Sequence, residues 1–375
     1  MRDDPLCRPI AVGDVLCPNR VFMAPMTRGR GTRDHVPTEL MATYYAQRAS
    51  AGLIVSEATG ISRQGLGWPY APGIWSDAQV EGWKAVTEAV HAADGRMYCQ
   101  LWHMGAKVHP AYLGGEPPVA PSAYRAPYKA HTYEGRQPYE PARAMSRGGI
   151  AKVVEDYAKA SHRAIAAGFD GVQIHAANGY LIDEFLRDGT NARVDDYGGS
   201  VENRIRFLGE VVRAVAGEAG HERTAVRLSP NGDSQGVNDS DPHGLFPRAA
   251  ASLDEIGIAF LEIREPPPEG TFGKPDVDPV APAMRAAFHG VLVLNSDFDA
   301  TRARAAIETG AADAISFGRP FIANPDFPER LRRGTPLASD DRAFWYGRDA
   351  TGYTDHSRSR QLSPQLRIAG KTGEA

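Results

Sequence analysis

Short apolar, β-branched runs alternate along this chain with longer segments whose apolar residues recur at helical spacing. The runs Arg20–Ala24, Leu53–Ala58, Met97–Leu101, Gly171–His175, Thr224–Leu228, Ile258–Ile263, Val291–Leu294 and Ala314–Phe317 predict strands. Helical patterns lie between them: Thr38–Arg48, Asp77–Ala93, Gly149–Ala167, Ser200–Glu218, Leu245–Glu255, Val280–Phe288 and Asp299–Thr309, with an eighth after Ala323. This alternation predicts an α/β protein built as a single (β/α)₈ TIM barrel, with a doubly wound sheet as the rival. Ile10–Cys17, with Gly13-Asp14 between apolar pairs, reads as an N-terminal hairpin under the barrel. Trp102–Arg147, after the third strand, holds Pro117, Pro118, Pro121, Pro127, Pro138 and Pro141 and reads as a lid or binding loop. Residues 264–279 are similarly Pro-rich. No composition shift marks a boundary, so residues 1–375 read as one domain with its core at about 19–335. The segment 336–375 contributes in part to the site and frays after Ser357.

With 375 residues the chain fits one barrel with insertions. A net charge of −4 and a pI near 6.3 argue against nucleic acid as a partner. Met1–Pro9 lacks an apolar core, and no window reaches the ~18 apolar residues of a membrane span. Cys7, Cys17 and Cys99 are too few for a disulfide framework, which suits a reduced, cytoplasmic protein. A monomer or homodimer is equally compatible with this composition.

In a parallel barrel the site lies at the C-terminal ends of the strands. Polar residues fall there in series: Thr27 and Arg28 after the first strand, Glu57 at the second, and Gln100, Trp102 and His103 at the third. His175, Asn178 and Tyr180 follow the fourth strand, Arg227 lies in the fifth, Asn295-Ser296-Asp297 follow the seventh and Gly318-Arg319 the eighth. The last two loops form the barrel's recurrent phosphate site, where Gly318 permits close approach and Arg319 offers a charged fork. The rival there is a tight turn with a surface arginine. His175 and Asn178, three apart on a helical turn, suit a carbonyl oxygen that gains negative charge, and Tyr180 suits a proton donor. A satisfied core histidine and a rim tyrosine are the alternative.

Other patterns carry less. Gly232-Asp233-Ser234-Gln235-Gly236 matches a nucleophile elbow, but Pro230 and Asn231 separate it from any strand. Gly370-Lys371-Thr372 imitates only the end of a P-loop. No G-x-G-x-x-G follows a strand, so a Rossmann domain is unsupported, and the eleven histidines show no metal-binding spacing.

Taken in order, these residues resemble the old yellow enzyme family of FMN-dependent ene-reductases, from about Asn19 to Asp355. The blocks that carry the resemblance are Asn19-Arg20-Val-Phe-Met-Ala-Pro25-Met26-Thr27-Arg28, Gln100-Leu-Trp102-His103, His175-Ala-Ala-Asn178-Gly-Tyr180, Asp196-Tyr197-Gly198-Gly199-Ser200-Val-Glu202-Asn203-Arg204 and Phe317-Gly318-Arg319-Pro-Phe. The resemblance implies bound FMN, with NADPH or NADH as reductant and an electron-poor alkene as substrate. Pro25, Met26 and Thr27 would then contact the flavin, Ala58 and Gln100 its pyrimidine side, and Arg227 its N1–O2 edge. Ser296, Asp297, Gly318 and Arg319 would surround its phosphate. Trp68, Trp102 and Tyr353 would line the substrate pocket, with His175 and Asn178 holding the activating group and Tyr180 protonating the α-carbon. It also implies a ping-pong cycle in one site. A specialised biosynthetic or nitro-compound reductase, or a flavin-free phosphate-binding lyase or isomerase, are the alternatives. Where the family has Gly-Gly followed by an aromatic, this chain has Ser296-Asp297-Phe298. That aspartate suits a phosphate only with its carboxylate turned away.

Overall fold

The computed structural model describes residues 4–271 and 273–357. The Gly370-Lys371-Thr372 tripeptide, the start of the N-terminal segment and the tail beyond Ser357 lie outside the described residues.

Eight parallel strands close into a barrel: β1 (Val21–Met23), β2 (Ile54–Val55), β3 (Met97–Trp102), β4 (Gly171–His175), β5 (Thr224–Leu228), β6 (Phe260–Arg264), β7 (Val291–Asn295) and β8 (Ala314–Phe317). Each pairs with the next, and β8 returns to β1 with Ser316 opposite Phe22. Helices follow the strands, as the alternation predicts. Ser76, Ser146, Ser200, Asp241 and Asp299 each accept a backbone N–H at a helix start, satisfying donors that the first turn leaves open.

The two-residue period of the strands sorts their side chains into layers. Phe22, Tyr98, Ala225, Phe260, Val293 and Ala314 point to the barrel axis and form one apolar floor with Ile10, Val12 and Cys17 of the hairpin. Their neighbours Val21, Cys99, Val226, Leu261, Leu292 and Ile315 point outward into the main core against the helices. Gly171 belongs to the floor as a gap: a Cβ there would stand 2.4 Å from the Tyr98 ring. One step up, the axis turns polar, with Gln100, Gln173, Arg227, Glu262 and Ser316 all buried. The hairpin Ile10–Val12 with Val15–Cys17 sits beneath the barrel, as expected.

Three expectations need correction. The second strand is shorter than Leu53–Ala58, because Glu57 leaves the sheet to accept from the Arg28 and Gly29 amides at 3.1 and 3.0 Å. The eighth helical stretch begins before Ala323, as Arg319–Ala323, and resumes as Phe327–Arg333 after Asn324-Pro325 interrupts it. The insert after β3, read from sequence as a loop, contains regular structure. It carries a hairpin, Lys129–Thr132 with Gly135–Pro138, and its own small core of Ala106, Ala120, Ala130 and Tyr139. Beneath it, Lys107 Nζ donates to Glu184 Oε1 at 2.8 Å and to Tyr124 Oη at 2.7 Å, with Lys107 and Glu184 fully buried. Among the described residues, no helix is long and apolar enough to cross a membrane.

Candidate active site

The strands open at their C-terminal ends into a cleft of about 1120 Å³. Its walls include every residue expected to touch flavin or substrate except Tyr353, whereas the strand-end residues Glu57 and His103 do not line it. At one end stand His175, Asn178 and Tyr180. His175 ends β4, and its Nδ1 accepts from the Ala177 amide at 3.3 Å, which leaves the ring proton on Nε2. Burial, and then the Arg227 guanidinium, hold its pKa well below the usual histidine range, so the ring is neutral.

Asn178 reaches the same cleft by a different local geometry from the helical turn expected. Asn178 and Gly179 both lie at positive φ (58° and 78°), and the helix starts only at Leu181. Asparagine tolerates that conformation better than most side chains. The turn is pinned by the Asn178 amide on Ser229 Oγ at 2.8 Å and the Gly179 amide on Asp183 Oδ2 at 2.8 Å. Asn178 Oδ1 is buried without a partner among the described residues. Tyr180 stands edge-on to both His175 and Trp102, with ring centroids 5.0 and 4.9 Å apart. Burial raises its phenol pKa, so it carries its proton at neutral pH. His103 does not join them. It lies buried, accepts from the Gly105 amide at 3.1 Å, and has its pKa held at about 3 by desolvation.

The cleft floor is the polar layer of the barrel. Gln100 Nε2 donates to Gln173 Oε1 at 2.8 Å, Gln173 Nε2 to Glu262 Oε2 at 2.7 Å, and Arg227 Nη1 to Glu262 Oε1 at 2.9 Å. Arg227 Nη2 donates to Asn295 Oδ1 at 2.8 Å, and its Nε is buried with no partner among the described residues. Glu262, Gln173 and Arg264 escaped the sequence reading, which found no polar residue on the sixth strand. The available signal was Glu262 and Arg264 at alternate positions of an otherwise apolar run, the same parity that exposes Arg227 and Asn295.

At the opposite end lie Ser296, Asp297, Gly318 and Arg319. Ser296 and Asp297 both have positive φ, at 122° and 51°, in a turn that glycine would enter without strain. The Asp297 carboxylate does not turn away. It pairs with Arg319 and accepts from the Thr271 amide at 2.7 Å and hydroxyl at 3.0 Å. Arg302 donates to the Asp297 carbonyl at 2.9 Å, and Arg264 lines the same end. Burial, and then Arg227, lower the Arg264 pKa to about 10.

Tyr353 is the misplaced residue. It is fully buried outside the cleft, stacked on Tyr44 with centroids 4.0 Å apart and flanked by Arg28 and Arg30. Trp345 and Tyr346 of the same segment line the cleft instead, and Tyr346 packs on Trp68 at 5.4 Å. Arg28 Nε and Arg30 Nη1 both donate to the Trp345 carbonyl, at 3.0 and 2.7 Å. Arg28 Nη2 reaches the Gly352 carbonyl at 2.8 Å, and Arg30 Nη2 the Phe344 carbonyl at 2.9 Å.

The cleft therefore offers an elongated ligand an aromatic end, a polar floor with unpaired buried donors and acceptors, and an arginine-rich end. FMN, with a flat ring system and a phosphate tail, matches that sequence of environments. A family model described as the NADH:flavin oxidoreductase / NADH oxidase family matches residues 5–338. The chain is 58% identical to the old yellow enzyme homologue from Zymomonas mobilis, with a TM-score of 0.93 over 94% of this chain and 99% of that one. It is 44% identical to morphinone reductase solved in complex with tetrahydroNAD, with a TM-score of 0.90 over 96% and 99% of the two chains. A probable flavin mononucleotide-dependent alkene reductase of Leishmania infantum is 40% identical over 94% of this chain and 97% of its own length.

Proposed function

Because the chain belongs to the NADH:flavin oxidoreductase / NADH oxidase family and is an FMN-dependent, NAD(P)H-oxidising enzyme of the old yellow enzyme type, we propose that it reduces the activated C=C bond of α,β-unsaturated carbonyl and similarly electron-poor compounds. FMN held in the cleft would supply the hydride transfer between NAD(P)H and the acceptor. The observation that carries the reading is the trio at the aromatic end: a neutral His175 with its proton on Nε2, Asn178 lining the same cleft with an amide NH₂ that can donate, and a protonated Tyr180. His175 Nε2–H and the Asn178 amide hold the activating oxygen and stabilise the charge that grows there. Tyr180 then supplies the proton to the α-carbon. Gln100 and Arg227 would hold the pyrimidine edge of the flavin, and Pro25, Met26, Thr27 and Ala58, which line the same cleft, would contact it as well. Trp68, Trp102 and Tyr346 bound the substrate space. The C-terminal segment that brings Trp345 and Tyr346 back to the cleft supports reading the whole chain as one FMN-binding domain.

The test is an anaerobic visible spectrum of the FMN-reconstituted protein, titrated with NADPH and then with cyclohexenone. Bleaching by NADPH and recovery with the enone are expected. Bleaching without recovery would replace the enone with a specialised acceptor, and a protein that stays colourless would remove the flavin from the reading.

The phosphate end gives a separate expectation. Asp297 holds the arginine that a phosphate would use, so Asp297→Asn should tighten FMN by roughly fivefold, the equivalent of about 1 kcal/mol for one partly screened charge. Flavin fluorescence quenching on titration reads this directly. An unchanged dissociation constant would show that the phosphate relies on other donors.

A further inference from the structure

Glu262 is a carboxylate on the barrel axis, 1% exposed, with no part in the reading above. It sits beneath the two residues assigned to the flavin's pyrimidine edge and bonds toward both. Its Oε1 accepts from Arg227 and from the Ser316 hydroxyl, and its Oε2 accepts from Gln173. A carboxylate can only accept, so the Gln173 amide must present its NH₂ group downward. Its carbonyl oxygen is then left to accept from Gln100 Nε2 at 2.8 Å. That bond turns the Gln100 carbonyl away from Gln173. One buried negative charge therefore orients two amides in series.

The same charge lies against Arg227. A guanidinium under the N1–O2 edge favours reduced flavin, which carries negative charge there. With Glu262 at 2.9 Å, the pair presents a dipole to the cleft where a lone cation would present a full charge. Its field falls faster with distance, and a buried pair is little screened by salt.

We propose that Glu262 is a positioning residue that sets the direction of the Gln173–Gln100 amide relay and attenuates Arg227, lowering the site's preference for reduced over oxidised flavin. This rests on the reading in which Gln100 and Arg227 hold the flavin.

Glu262→Gln, compared with Glu262→Asp in the FMN-loaded enzyme, separates charge from shape. The neutral variant should bind reduced FMN more tightly relative to oxidised FMN by about tenfold, which raises the midpoint potential by about 30 mV for a two-electron couple. Glu262→Asp keeps the charge and should stay near the wild-type potential. Dye-equilibrated titration gives the potential, and fluorescence quenching gives the affinity for oxidised FMN. An unchanged potential in Glu262→Gln, or equal losses of affinity in both redox states, would overturn the proposal and leave Glu262 a structural prop. Gln173→Met tests the relay alone. It should weaken oxidised FMN several-fold without moving the potential, so the proposal stays open to refutation even if Glu262→Gln does not fold, and an unaltered affinity would count against it. Failure of the unaltered protein to bind FMN would instead overturn the flavin reading itself.

Discussion

Tyr180→Phe should slow enone reduction by about 10²–10⁴-fold, the usual range for losing a positioned general acid, while bleaching of the flavin by NADPH keeps its wild-type rate. The substitution is clean because the ring does the packing. Tyr180 meets Trp102 and His175 edge-on, and phenylalanine preserves both contacts. Only the hydroxyl is lost. Burial raises the phenol's pKa, so the wild-type residue arrives protonated and can give its proton only to a strong base such as a developing carbanion. Nothing comparable is needed when NADPH is the donor. Stopped-flow measurement of the two half-reactions separates these cases, and equal slowing of both would assign Tyr180 to placing its neighbours.

Lys107→Met should destabilise the fold by about 3–5 kcal/mol, the range for removing one partner of a buried ion pair. Lys107 and Glu184 are both fully buried, and Glu184 also accepts from the Ala106 amide at 3.1 Å and from Tyr124 at 2.6 Å. Burial already raises the Glu184 pKa against the opposing pull of Lys107. Without the lysine it rises further, and the folded state then holds a proton that the unfolded state releases. Stability held below the ordinary glutamate range is therefore lost as pH rises through the raised value. Urea melts at pH 5 and pH 8 should show the larger deficit at pH 8. Lys107→Met combined with Glu184→Gln should recover much of it, and a double variant as weak as the single one would contradict this account.

The barrel was legible because strand and helix periods differ and the chain keeps them apart. The floor and the polar layer follow from the same arithmetic, since residues two apart share a face. Gln100, Arg227 and His175 could be picked out on that ground. Glu262 obeys the same parity, yet a charge inside a buried strand reads from sequence as an interruption until its partners from other strands are known. Local spacing misled at Asn178. The helical turn that would align it with His175 is replaced by two residues of left-handed backbone, which no apolar period records. Tyr353 was placed by its motif, whereas the path of its segment is set by Arg28 and Arg30, more than 300 positions away in the chain. The insert after β3 looked irregular because its hairpin strands, Lys129–Thr132 and Gly135–Pro138, carry little apolar alternation.

Those two arginines hold the C-terminal segment through main-chain carbonyls at Phe344, Trp345 and Gly352, and touch one of its side chains, the Tyr353 ring. Every residue type brings a carbonyl, so away from Tyr353 this anchorage is blind to which side chains the segment bears. Positions 345 and 346 can therefore be rewritten while the segment stays docked. Descendants of this enzyme, natural or made in the laboratory, have there a place to change what they accept without rebuilding what holds them together.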